Sequence, residues 1–219
     1  NQSEQHILIT RRYAIIEKKY WKATLSPPRG SISHDQPVPY LCLRDTSVLP
    51  CFGGDEYGTS TYNLSMLSLP YFICSNGETL YLRNLLKWSL YREKSAQELV
   101  LYGQSSWVTF RRIFTWSDYE LEMKDTLDIS ESSLNSIYAY PLVFAAFQME
   151  GQNNGSYRIH PDMPYLTLLI QGVEGDLEII PGTSPSGLTQ VLRERIDLQW
   201  VDRRVFNRLM QLSWLEEEH

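Results

Sequence analysis

Apolar and polar positions alternate most regularly between Trp107 and Asp128, in the run WVTFRRIFTWSDYELEMKDTLD. From Tyr119 onward, Tyr119, Leu121, Met123 and Leu127 share one face while Glu120, Glu122 and Lys124 take the other, the period of two of a half-buried strand. The arm before it is rich in Val, Thr, Phe, Ile and Trp, which fit a pleated surface. Ser117-Asp118 between the arms suits a turn. The pattern predicts an antiparallel hairpin that carries Phe110, Tyr119, Leu121 and Met123 into the core.

Shorter runs of the same kind flank this hairpin. Ile7 to Thr10 and Tyr13 to Ile16 predict the start of a meander. Ser26-Pro27-Pro28-Arg29-Gly30-Ser31 then interrupts regular structure, because prolines remove donors and glycine permits a turn. Tyr40 to Arg44 reads as a strand, followed by a glycine-rich polar loop from Cys51 to Asn63. Tyr71 to Cys74 and Leu80 to Leu82 flank Asn76-Gly77, the strongest hairpin signal in the chain. Glu98 to Tyr102, Tyr138 to Met149, Tyr165 to Ile170, Leu177 to Ile180, Leu188 to Leu192 and Ile196 to Trp200 continue the rhythm. Lys87 to Glu98 has only a thin helical face. The last segment, from Val205 to Trp214, fits helix or strand, and strand suits its surroundings. About a dozen short strands with little helix predict an all-β fold, an antiparallel β-sandwich forming a single domain over residues 1–219.

The 219 residues can bury a large core without staples. Hydrophobic residues at 42% and charged residues at 21% place the chain among ordinary globular proteins. A net charge of −6 with only scattered arginine pairs argues against a nucleic-acid partner. No apolar run approaches the roughly 18 residues of a membrane span, so no membrane partner is expected. Cys42, Cys51 and Cys74 lack zinc-ligand spacing, no two histidines share a metal motif, and neither metal nor cofactor is implied. The 14 Tyr and 6 Trp fit a sugar or peptide site, but they fit the core of a β-sandwich more readily.

Candidate chemistry gathers in two loops. His34-Asp35 lies between the Pro-rich loop and a strand, where a carboxylate can orient an imidazole; the same pair also fits a turn at a strand start. Asp55, Glu56 and Tyr57 place two carboxylates and a phenol on the glycine-rich loop, suited to acid/base work or simply to solvation. None of the motifs GxSxG, HExxH, GxGxxG or CxxC is present.

Ser33-His34-Asp35, then Gly54-Asp55-Glu56-Tyr57-Gly58, then Phe110-Arg111-Arg112-Ile113-Phe114 and the strand from Tyr119 to Leu127 together resemble the C-terminal β-sandwich domain of heparinase-like and alginate-lyase-like polysaccharide lyases. The resemblance implies His34 and Tyr57 as catalytic groups facing a uronate, with Asp35, Asp55 and Glu56 beside the substrate. Gln36 stands where a second histidine would help hold a metal, and the helical toroid of those enzymes has no counterpart. The implied function is a carbohydrate-associated sandwich, inactive without a partner domain, with an acidic polysaccharide or a protein as partner. The alternative is a non-catalytic module for a protein or small ligand. A site built from His34, Asp35 and Tyr57 requires their side chains to converge, because each partner needs hydrogen-bond reach of about 3 Å.

Overall fold

The computed structural model describes residues 7–9, 14–18, 21–25, 40–43, 69–93, 95–130, 135–145, 150–151, 156–158, 166–184, 187–200 and 205–214. Strand accounts for 71% of the interpretable part and helix for 5%, which makes the protein all-β and sandwich-like, as the period-two segments predict. Every strand pairing among the described residues is antiparallel.

The described strands form three sheets. The first is the N-terminal meander of β1 (Ile7–Ile9), β2 (Ala14–Glu17), β3 (Trp21–Leu25) and β4 (Tyr40–Leu43). The chain continues through β5 (Tyr71–Cys74), β6 (Thr79–Tyr81), the single helical turn α1 (Leu82–Leu85), β7 (Lys87–Tyr91), β8 (Glu98–Gln104), β9 (Val108–Trp116) and β10 (Glu120–Ile129). It ends with β11 (Ser136–Ala145), β12 (Glu150–Gly151), β13 (Ser156–Arg158), β14 (Leu166–Gln171), β15 (Asp176–Ser184), β16 (Gly187–Asp197) and β17 (Val205–Trp214). The second sheet has eight strands in the order β12-β13-β14-β17-β10-β9-β8-β7, and the third has five in the order β15-β16-β11-β5-β6.

The β9–β10 hairpin sits inside the large sheet, with β8 on one side and β17 on the other. Its residues alternate between buried and accessible along both strands, and Phe110, Leu121 and Met123 are fully buried. Tyr119 is the exception. The chain turns at Ser117, whose Oγ accepts the Tyr119 N–H at 3.2 Å, so β10 begins only at Glu120 and Tyr119 is 37% exposed. A residue with the right parity thus falls outside the strand because the turn is one residue longer than the polar pair suggests.

The predicted Asn76-Gly77 turn joins β5 to β6, with Gly77 at φ +83°, a conformation that glycine adopts without penalty. The C-terminal segment is strand, with Phe206, Met210 and Leu212 buried on one face. Two expectations need correction. Lys87 to Tyr91 is an edge strand rather than part of a helix, and Ile196 and Asp197 end the long strand β16 while Leu198–Trp200 forms a 3-10 turn.

The two larger sheets share one core. Phe72 on β5 lies 5.6 Å from the Trp107 ring, and Tyr138 on β11 stacks on Phe206 of β17 at 5.1 Å. Ala14 and Ile16 of the first sheet, both fully buried, join the same cluster. Lys18 ties that sheet to the β9–β10 turn by donating to Asp118 Oδ1 at 3.0 Å. Pro141 sits inside β11, where the pairing with β16 shifts register between Pro141 and Val143, the kind of irregularity that accommodates a missing donor.

Candidate functional site

His34, Asp35, Asp55, Glu56 and Tyr57 lie outside the described residues, and so does Gln36. The described residues instead bring together two sets of polar side chains, one on each face of the eight-stranded sheet.

The inner set arises where charge interrupts an apolar face. Asp125 shares its side of β10 with Leu121, Met123 and Leu127; Arg112 lies between Phe110 and Phe114, Arg208 between Phe206 and Met210, and Glu194 between Leu192 and Ile196. Strand register then aligns them. Arg112, Asp125 and Arg208 form one row across β9, β10 and β17, and Tyr140 and Glu194 are paired neighbours on the facing sheet. Arg112 donates to Asp125 through Nε at 2.7 Å and Nη2 at 2.6 Å, and Nη2 also reaches the Tyr140 hydroxyl at 2.8 Å. Arg208 clasps Glu194 through Nε and Nη2. Glu194 Oε1 further accepts the N–H groups of Glu174 at 2.8 Å and Gly175 at 2.9 Å, which fixes the connection between β14 and β15.

This layer is sealed, since none of the four charged side chains is more than 3% exposed. Burial pushes the Asp125 carboxyl above its ordinary range, although the guanidiniums of Arg112 and Arg208 pull it down. Burial likewise holds the Tyr138 phenol well above its usual value, with Arg208 acting against it and Glu194 with it. Such groups are inaccessible to a substrate, and their chemistry is cohesion between the two sheets. The sequence signal that marks them is a charge at an inward parity position between large apolar residues.

The outer set faces solvent. Ser89, Tyr102, Arg111, Thr126 and Asn207 fall on one row across β7, β8, β9, β10 and β17, each paired with the next. A cleft of about 520 Å³ opens at its β7 end. Strand β7 lines it with Lys87, Trp88 and Ser89, strand β8 with Tyr102 and Gln104, and the following turn with Ser105 and Ser106. The turn is braced by Ser105, whose Oγ accepts the Val108 N–H at 3.2 Å while its own N–H donates to the Val108 carbonyl at 2.9 Å. Gly103 allows the edge strand to close on β8, since a Cβ there would lie 2.7 Å from the Trp88 ring. Tyr102 is half-buried and shares the cleft with the hydroxyls of Ser89, Ser105 and Ser106, the amide of Gln104 and the ammonium of Lys87, with no carboxylate among them.

Charge on this outer face is balanced toward the negative. Lys87, Arg111 and Lys124 stand among Glu93, Glu98, Glu120, Glu122 and Asp128. Arg111 is held by Glu93, and Lys124 by Glu122 at 2.7 Å. Lys87 lines the cleft and has no ion pair among the described residues, so the groups left to meet a ligand there are uncharged apart from that one ammonium. Among the described residues no three His, Cys, Asp or Glu side chains are placed to hold a metal ion, and no helix is long and apolar enough to cross a membrane.

No protein-family model matches the chain, and no curated protein does. Among solved structures, the fold is similar to that of a 4-alpha-glucanotransferase from Thermococcus litoralis, with a TM-score of 0.57 and 10% sequence identity. The similarity covers 98% of this chain and 40% of that one, so the chain spans less than half the length of the protein it matches. At this identity the likeness concerns the fold.

Proposed function

We propose that this chain is a carbohydrate-associated β-sandwich module that binds a neutral sugar at the cleft around Tyr102. The observation that carries the reading is the composition of that cleft: a half-buried phenol ring beside Ser89, Gln104 and Ser106 on a rigid sheet edge. A sugar ring presents an apolar C–H face and a rim of hydroxyls, which a tyrosine ring with flanking amide and hydroxyl groups can meet at once. Lys87 is the one charged residue lining the cleft, and carboxylates outnumber cations on the surrounding outer face, a balance that favours a neutral ring over a uronate or a sulfated one at longer range. A fold shared with part of a protein named as a glucanotransferase supports the same class of ligand.

The test is electrophoresis of the purified chain through gels containing either a soluble neutral glucan or alginate. Retardation by the neutral polymer, lost in Tyr102→Ala with the melting temperature retained, is the expected result. Retardation by alginate alone, or by neither polymer, would overturn the reading. Assaying the wild-type chain for unsaturated uronate products separately tests the lyase-like activity implied for His34 and Tyr57.

A further inference from the structure

We infer that the ligand is not a single ring but a linear neutral oligosaccharide lying across the strands, with a second subsite where Thr126, Asn207 and Gln171 meet. The inference rests on the reading that the Tyr102 cleft takes a neutral sugar. A second cleft of about 400 Å³ opens on the same outer face, lined by Thr126, Gln171, Gly172 and Asn207 among others. It is continuous in register with the first, because Tyr102 is paired with Arg111, Arg111 with Thr126, and Thr126 with Asn207. Neighbouring strands lie about 4.8 Å apart, so Tyr102 on β8 and Asn207 on β17 are separated by about 14 Å, well beyond the reach of one pyranose. The strand spacing of about 4.8 Å is itself close to the advance of a glycan chain per ring. Each strand of the row can thus offer one contact per sugar.

The side chains along the row suit the task. Thr126 Oγ1 donates to Asn207 Oδ1 at 3.0 Å, which orients the carboxamide and leaves its N–H2 group as a donor toward the cleft. Gln171 supplies a second, exposed carboxamide at the far wall. Arg111 lies between the two clefts in the row, and its guanidinium pairs with Glu93. Along the middle of the row a charged polymer gains little, since Arg111 and Lys124 already have carboxylate partners, which leaves Lys87 as the cation at the Tyr102 end.

The experiment is titration calorimetry of the full chain with maltooligosaccharides and cellooligosaccharides from disaccharide to hexasaccharide. Affinity should rise about tenfold or more with length in one of the two series and level off once both clefts are filled, a gain of about 1.4 kcal/mol. Asn207→Ala, or Thr126→Ala as a second variant, should return the hexasaccharide to the affinity of the disaccharide while leaving the disaccharide unchanged. Binding that depends on Tyr102 but not on length, or a length dependence untouched by both variants, would overturn the extended site and leave the single-ring cleft standing. Absence of any binding that is sensitive to Tyr102→Ala would instead overturn the cleft itself, and the extended site with it.

Discussion

Arg111 and Arg112 are consecutive in the chain and lead opposite lives. The pleat turns Arg111 outward, where its side chain is 32% exposed and meets Glu93 at the sheet edge, and turns Arg112 inward, where it is 1% exposed between the sheets. The outer guanidinium keeps much of its hydration, so its ion pair is weak and exchangeable. The inner one has lost its water and depends on Asp125 and Tyr140 for replacement contacts. The residue type is the same; the facing groups decide whether it holds the sheets together or pairs at the surface. A one-residue slip of β10 against β9 would leave Arg112 and Asp125 on opposite faces, so the inner layer also penalises that slip.

The largest effect should come from breaking the inner pair alone. Asp125→Ala leaves Arg112 buried without its anion, and urea unfolding should show a loss of about 3–5 kcal/mol. Replacing both partners with apolar residues, Arg112→Met with Asp125→Leu, should recover most of that loss, since the penalty lies in the orphaned charge rather than in the missing bond. A loss below about 1 kcal/mol for Asp125→Ala would mean that the inner layer behaves like a surface pair. Next in size is Leu121→Ala, one pleat along from Met123 and fully buried, with an expected loss of about 2–5 kcal/mol in the same assay. A change under about 0.5 kcal/mol, the surface range, would show that this face of β10 is not packed.

The fold was legible because burial follows parity along β9, β10 and β17, and an apolar residue on every second position commits a strand to one face. Tyr119 shows where that reasoning stops, since parity cannot say at which residue a turn hands over to a strand. The inner layer was hidden for a related reason: Asp125 has the inward parity of Leu121, Met123 and Leu127, but a charge on an apolar stripe reads as a blemish until its partners on β9, β11, β16 and β17 are known. The outer row was also invisible, because Ser89, Tyr102, Arg111, Thr126 and Asn207 come from distant parts of the chain and meet only through the register of five strands. The loop candidates His34, Asp35, Asp55, Glu56 and Tyr57 followed from local chemistry alone, and they lie outside the described residues.

The inner face can also be distinguished by pH. Burial raises the Tyr138 phenol well above its ordinary value, so the folded protein keeps it neutral where an unfolded tyrosine ionises, near pH 10. A group raised on folding stabilises fully below its unfolded value and loses that contribution as pH climbs through the window above it. Stability of the wild type should therefore fall as pH rises beyond about 10. Tyr138→Phe, which keeps the ring stacked on Phe206, should fall less steeply there. Parallel curves for the two proteins in that range would show that Tyr138 is not what limits alkaline stability.

The smallest effect belongs to the outer arginine and gives the sharpest contrast with its neighbour. Glu93→Gln removes the partner of Arg111, yet both side chains are roughly one-third exposed, so the loss of stability should stay under about 1 kcal/mol. That difference should shrink further in 1 M salt, where charges are screened beyond about 3 Å, whereas the penalty of Asp125→Ala should persist because salt does not reach the sealed layer. The same substitution makes the outer face less negative and frees one cation. Retardation by alginate should then rise slightly, while affinity for a neutral glucan stays within about twofold, a difference below the 1.4 kcal/mol that marks a tenfold change. A loss of neutral-glucan binding as large as that of Tyr102→Ala would instead mean that Glu93 acts through Arg111 as part of the recognition surface, its hold on the guanidinium being what positions the donor.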